Sequence, residues 1–352
     1  MPKSTSSKTN TRSKLKMIKK TIATSILSLL VLSVTTFTAS ADEKPLRIGW
    51  VYAMANAPAV IADKKGFYTA EGLNVEIKPF TDGPLLQQAV AAGDLDIAYV
   101  GSPPVYHWFS RGLESRILAQ VNFGQAAVIA NIKSPINVVA DLRGKKLAGV
   151  AKGSGMDVLL RGYVLKEKAK LDPDRDLSII TMPPGSMNAA LEHNEVDAAF
   201  SWEPFVSQSL LRGSSKLILD INKDLPQYPW YVIIALPKTL QDRPDDVVKL
   251  LRAHLKAIAF LQSHPEESNQ IIAEAFKLEA IQGPNGKTVK PEEIVQEARK
   301  RMGWSASLDA NDLQFIQRLM DYSFSLSFIN KPLNVQQVVD TSFLQRAEQS
   351  LK

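Results

Sequence analysis

The chain has 352 residues, no cysteine, four histidines, and 42 basic against 36 acidic residues, a formal charge of +6. Seven of the basic residues lie before position 21, and without residues 1–41 the formal charge falls to −1, so the basic excess that would invite a nucleic-acid partner belongs to the leader. The missing cysteines exclude a disulfide framework, a thiolate metal site, a cysteine nucleophile and a lipid-modified N-terminal cysteine, and no histidine pair has the H-x-x-x-H spacing, so neither a metal nor a cofactor is expected.

The leader itself reads as a cleaved secretory signal over 1–41. A basic stretch to Lys20 precedes an apolar run from Thr21 to Val34, and Ala39-Ser40-Ala41 supplies the small-x-small cleavage pattern. Ser and Thr dilute the run, and it is short of the ~20 apolar residues a bilayer span requires. A periplasmic location follows as an expectation. The 311 residues after the leader exceed a typical single core and predict two domains.

From there the elements alternate. Leu46–Val51 is predicted as a strand and 57–65 as a helix stopped by Gly66. The alternation from Leu73 to Phe80 marks a half-exposed strand. Pro84 opens a helix that Gly93 closes, and 95–100 is the next strand. The same grammar returns with strands at 146–151, 177–182 and 197–201 and helices at 155–170 and 186–193. Past Asp245 the spacing is helical over 247–261, 265–276, 291–302 and 311–326. Strands alternating with helices predict an α/β fold with open, largely parallel sheets covered on both faces.

One segment repeats. Ala89–Pro103 and Ala190–Pro204 align at a constant offset of 101, matching Asp96 with Asp197, Ala98 with Ala199, Tyr99 with Phe200 and Pro103 with Pro204. Two structurally equivalent lobes, each presenting the same loop, are the expectation.

Ligands of open α/β sheets bind beyond the carboxyl ends of the strands. Those positions hold Tyr52, Met54 and Asn56; Gly101 and Ser102; Ser154, Gly155 and Met156; and Trp202 with Glu203. Ser102, as an N-cap before Pro103, and Ser154, where a helix begins, would aim two helix N-termini at an anion. The plain alternative is that both hydroxyls only cap their helices. Glu203 would meet a cationic group on a ligand, while Trp202 has core packing as its commoner fate. His107 and the run Arg299-Lys300-Arg301 read as solvated helix faces, and Trp230 and Tyr231 as strand packing.

At these residues the chain resembles the sulfonate, taurine and nitrate solute-binding proteins of ABC importers, within a broader family that includes thiamine-pyrimidine binders. The resemblance rests on Leu46-Arg47-Ile48-Gly49, the stretch from Gly66 to Leu73, Ala91 to Ala98 and Gly101 to Pro104. It continues through Asp141 to Lys146, Lys152 to Gly155, and Val196 to Ala199 leading to Trp202-Glu203-Pro204. It implies a two-lobed type II periplasmic-binding fold with the ligand cleft between lobes, one lobe of residues 42–133 and 237–352 and the other of 134–236. It further implies a monomer that closes on a small polar ligand, an aliphatic sulfonate or taurine before nitrate, bicarbonate or a pyrimidine, and docks on a permease coupled to an ATPase. Glu203 would disfavour a bare anion and suit a zwitterion. The competing readings are an exported enzyme on the same fold, a regulatory sensor and a structural protein. Sulfinate-cleaving relatives imply a cysteine nucleophile that this chain lacks, and sensors need a helix-turn-helix where this chain has its leader.

Overall fold

The computed structural model describes Met1 and residues 44–351, so the signal-peptide reading lies outside the described residues. In chain order the main elements begin with β1 (Leu46–Val51), α1 (Ala57–Lys64), β2 (Val75–Phe80), α2 (Gly83–Ala91), β3 (Ile97–Gly101) and α3 (Ser102–Phe109). Next come β4 (Arg116–Gln120), β5 (Asn122–Gly124), β6 (Ala126–Asn131), β7 (Lys146–Gly149), α4 (Gly155–Val158), β8 (Ser178–Thr181), α5 (Pro184–Glu192), β9 (Ala198–Trp202) and α6 (Phe205–Arg212). The rest comprises β10 (Ser215–Asp220), β11 (Tyr231–Ala235), α7 (Pro244–Ser263), α8 (Pro265–Ala275), a short hairpin of β12 (Ile281–Gln282) and β13 (Thr288–Val289), α9 (Pro291–Ala298), β14 (Met302–Trp304), α10 (Ala310–Ser325) and α11 (Ser342–Ser350).

Two five-stranded sheets carry the chain, in the orders β2-β1-β3-β11-β4 and β10-β6-β9-β7-β8. Read from its outer parallel strand, the second has the layout of the first: β8, β7 and β9 stand where β2, β1 and β3 stand. In each sheet those three pair in parallel, and the next strand inward, β11 or β6, runs antiparallel to its neighbours. The sheets are therefore mixed rather than largely parallel. The chain crosses from the first sheet to the second between β4 and β6 and returns between β10 and β11. A boundary at 134 would leave β6 with the first lobe, and one at 236 would leave β11 with the second, whereas pairing puts each in the other sheet.

The duplicated segment falls on equivalent strands, since β3 and β9 are offset by the same 101 positions. The matched aspartates do the same work. Asp96 accepts the Arg47 N–H of β1 at 2.8 Å, and Asp197 accepts the Lys146 N–H of β7 at 2.7 Å. Each ties a turn to a backbone donor at or next to the start of the adjacent strand, Arg47 being the second residue of β1 and Lys146 the first of β7. Five of five β3 residues are buried, as continuous apolar runs in covered sheets should be.

Helix starts follow local chemistry. The Asp82 carboxylate accepts the Leu85 N–H at 2.9 Å with Pro84 in the first turn of α2. Asp245 and Asp246 occupy the first turn of α7, favourable against the helix dipole, and α7 buries Val247, Leu250, Leu251, His254 and Ile258 at helical spacing. The expected helix over 155–170 is α-helical only through Val158 and continues as a wider π-helix over Leu159–Ala169. Residues from Pro45 onward pack as one compact unit. Among the described residues no helix is long and apolar enough to cross a membrane.

Candidate functional site

A cleft of about 290 Å³ opens where β1 of one sheet and β9 of the other end. The β1 exit supplies Tyr52, Ala53 and Met54; the β9 exit supplies Trp202, Glu203 and Pro204; α6 adds Phe205, Gln208 and Arg212. Phe276 to Ile281, after α8, close the remaining side. Four residues expected at a ligand site, Tyr52, Met54, Trp202 and Glu203, thus meet in one cleft.

Four of its lining residues are aromatic, Tyr52, Trp202, Phe205 and Phe276. Tyr52 packs against Phe276 with ring centres 5.0 Å apart and against Trp50 at 5.6 Å, and its hydroxyl donates to the Ala275 carbonyl at 3.3 Å. Trp202 meets Phe205 edge-on at 6.5 Å. Tyr52 is 45% exposed, unusual for a large aromatic, while Met54 is fully buried.

Glu203 is not free for a ligand. It is completely buried, and its carboxylate receives the Arg301 Nε–H on one oxygen and the Ser207 N–H and Oγ–H, at 3.1 and 2.6 Å, on the other. Arg301 Nη2 also donates to Ser207 Oγ at 2.8 Å, so one hydroxyl bridges both ions. Burial pushes the Glu203 carboxyl upward, and the opposing pull comes first from Arg301. The role expected for Glu203 against a ligand cation is thereby already filled within the protein.

The other candidates lie deeper. Gly155 rests on Pro103 and Trp230, since a methyl built on it would come within 3.3 Å of Pro103 and 3.2 Å of the indole. The two helix starts therefore do meet, yet differently from expectation. Gly101, not Ser102, is the N-cap of α3, and Ser102 is its first helical residue. The Ser102 hydroxyl is buried with no hydrogen-bond partner among the described residues. Ser154 does cap, accepting the Asp157 N–H at 3.3 Å. The Asp157 carboxylate takes the Gly153 N–H at 2.8 Å and pairs with Arg161 at 2.7 Å, so this helix start already carries its own anion. Met156 is buried. Asn56 is buried too, its amide donating to the Val51 carbonyl at 2.8 Å while its Oδ1 is left without a partner among the described residues. Trp230, given less weight in the sequence, is central: its carbonyl accepts the Ser102 N–H at 3.2 Å and its N–H donates to Asn122 at 3.0 Å.

Sequence reasoning missed Gln125. It sits at the crossing between the sheets with φ of 100°, a strained value for a side-chain-bearing residue, and both polar atoms of its buried amide lack partners among the described residues. Its carbonyl accepts the Glu203 N–H at 3.2 Å, placing it beside the cleft wall. Strained backbone clusters at functional sites, and a buried amide without a partner calls for an explanation of the same kind. No sequence pattern announces it.

Next to it, Gly124 has φ of 75°, and a methyl there would lie 2.3 Å from the Arg301 carbonyl oxygen. Gln125 tolerates a positive φ, so the overlap decides. Gly124→Ala is expected to destabilise the protein by about 2–3 kcal/mol, read as a lower urea midpoint with unchanged slope. Among the described residues no His, Asp and Glu cluster is placed to hold a metal ion.

Comparison with known proteins identifies the family and the fold. Residues 39–277 match the model of the NMT1-like family. A protein of Brucella abortus (strain 2308) named as a binding protein is 30% identical over 281 residues, covering 77% of this chain and 85% of its own. One of Bacillus subtilis (strain 168) named as an aliphatic sulfonates-binding protein is 28% identical over 319 residues, covering 88% and 90%. Among solved structures, the periplasmic aliphatic sulphonate binding protein SsuA of Escherichia coli superposes with a TM-score of 0.70 at 22% identity, over 84% of this chain and 92% of its own. The fold is thus that of the periplasmic sulfonate-binding proteins. The desulfurization enzyme DszB shares it at a TM-score of 0.60 and 17% identity, over 87% and 99%.

Proposed function

This chain belongs to the NMT1-like family, and from that premise we propose that it is the solute-binding component of an ABC importer, capturing an aliphatic sulfonate or taurine in the cleft between its two sheets. The observation that carries the reading is the cleft's construction: Tyr52 and Met54 leave the carboxyl end of β1, and Trp202 leaves that of β9, a strand of the other sheet. A ligand held there touches both sheets at once and favours the arrangement in which they close, which is how a carrier signals that it is loaded. The lobes would be one built on β1 to β4 with β11 and one on β6 to β10. Arg212 and Lys277 supply cationic groups at the cleft.

The protein would act without catalysis, as a periplasmic monomer delivering its cargo to a permease and, through it, an ATPase. The absence of any cysteine argues against sulfinate cleavage on this fold. The test is a thermal-shift panel of alkanesulfonates, taurine, nitrate, bicarbonate and a thiamine-type pyrimidine on the chain from Asp42. A ligand at a hundredfold excess over its Kd adds about 2.7 kcal/mol, several degrees in Tm. We expect that shift with a sulfonate and its loss in Trp202→Ala. A shift with nitrate or the pyrimidine alone moves the ligand class, and a flat panel overturns the sulfonate reading.

A further inference from the structure

The cleft's walls say which sulfonates fit, an inference that rests on the sulfonate reading above. An alkyl chain gains only from the apolar area it buries, which Leu278 and Ile281 already offer. This cleft adds ring faces to that aliphatic lining. Tyr52 is left 45% exposed at the mouth, tilted on Phe276 at 5.0 Å and 45° and on Trp50 at 5.6 Å and 36°. Its hydroxyl bond to the Ala275 carbonyl holds the ring in place, so little side-chain freedom remains to be lost on binding. The other sheet contributes Trp202, edge-on to Phe205 at 77°. Aromatic groups thus line the cleft from both sheets, and a flat ring entering it meets aromatic partners on either side.

The polar end is equally constrained. Glu203 is neutralised by Arg301, and Arg212 meets Glu192 only at 3.7 Å. Lys277 has no ion pair among the described residues. Glu279 is the remaining carboxylate of the lining and is exposed. The cleft therefore presents Lys277, without an ion pair among the described residues, and Arg212, in a loose pair with Glu192, against one exposed anion beside its aromatic groups.

We propose that the preferred cargo is an arylsulfonate, a single aromatic ring carrying one anionic group, over a linear alkanesulfonate of the same carbon number. Aromatic pairs contribute beyond their buried area, and with partners on two walls the preference should reach about tenfold in Kd. The experiment is titration calorimetry of the chain from Asp42 with benzenesulfonate and with hexanesulfonate, repeated on Tyr52→Ala and Phe276→Leu. Tyr52 is exposed, so its replacement should leave the fold intact, as circular dichroism will verify. The expected result is benzenesulfonate bound about tenfold tighter or more, with the margin shrinking severalfold in each variant because benzenesulfonate loses more affinity than hexanesulfonate does. Equal affinities, or a preference untouched by both variants, overturn the arylsulfonate assignment and leave the sulfonate carrier standing. If the folded protein binds neither compound, the sulfonate reading fails and this inference falls with it.

Discussion

Replacing Arg301 with alanine should be among the most damaging single changes in this protein. Arg301 is 5% exposed and Glu203 wholly buried, and their contact lies far from solvent screening. Removing one partner of a buried pair leaves the other charge without compensation, and the usual cost is about 3–5 kcal/mol. Tm should fall by roughly 10 °C. The pH dependence identifies the cause. Without Arg301, burial raises the Glu203 carboxyl still further above its unfolded value, so the folded variant prefers the protonated form. A raised carboxyl contributes no penalty below the unfolded pKa and loses stability as pH rises above it. The gap between Arg301→Ala and the parent should therefore be widest near pH 8 and narrow towards pH 5. Adding Glu203→Gln to Arg301→Ala should recover a large part of the loss at pH 8 and little at pH 5. A uniform loss at all pH values, unrelieved by Glu203→Gln, would mean that Arg301 acts through packing alone.

That ion pair also marks where sequence reading reaches its limit. Arg299-Lys300-Arg301 looks like a solvated basic face, and only Lys300 is one. Arg299 donates to Asn269 at 2.6 Å and lies over the Trp304 ring at 4.8 Å, while Arg301 turns inward to Glu203, 98 residues away in sequence. No local periodicity encodes a partner at that distance. His107 misleads in the same way: the helix face it occupies is covered by α10, so it is buried against Ser323 rather than solvated. What was legible rests on local rules. Strand–helix alternation gave the parallel cores of both sheets, and the duplicated segment gave their equivalence, because Asp96 and Asp197 each satisfy a backbone donor near the start of the neighbouring strand. What was not legible was the exchange. Strands β6 and β11 pair antiparallel across the two crossings, and strand pairing between distant segments leaves no mark on the spacing of either. The mixed sheets and the position of Gln125 both follow from that exchange. Of the candidate site residues, those at the ends of β1 and β9 converge on the cleft because strand ends are readable. The fate of each hydroxyl, capping for Ser154 and unpaired for Ser102, depends on one-residue differences in where a helix starts, below the resolution of propensity rules.

Acid should unfold this protein through its histidines before its carboxylates. His254 is fully buried in α7 with Nε2 on the Gln120 carbonyl at 3.0 Å, and its Nδ1 has no partner among the described residues. Since a carbonyl only accepts, Nε2 carries the proton and the ring is neutral. His107 bonds through Nε2 to Ser323 Oγ at 2.9 Å, and that hydroxyl's own proton goes to the Leu319 carbonyl, so Nε2 is again the donor. Burial lowers both from 6.5 to about 4, with Arg111 adding to the effect at His107. A histidine depressed in the folded state binds its proton more readily when unfolded. Each therefore begins to cost stability as pH falls below about 6.5, and the loss is complete near pH 4, about 3 kcal/mol apiece. Ordinary carboxylates titrate near the lower edge of that window and contribute mainly below it. Between pH 6 and 5, urea unfolding should show an uptake approaching two protons, visible as the slope of stability against pH. His254→Gln and His107→Gln should each lower that uptake by about one, whatever they do to stability at pH 7.5. If neither variant changes the slope, the acid sensitivity lies elsewhere, and the neutral buried rings are only packing elements.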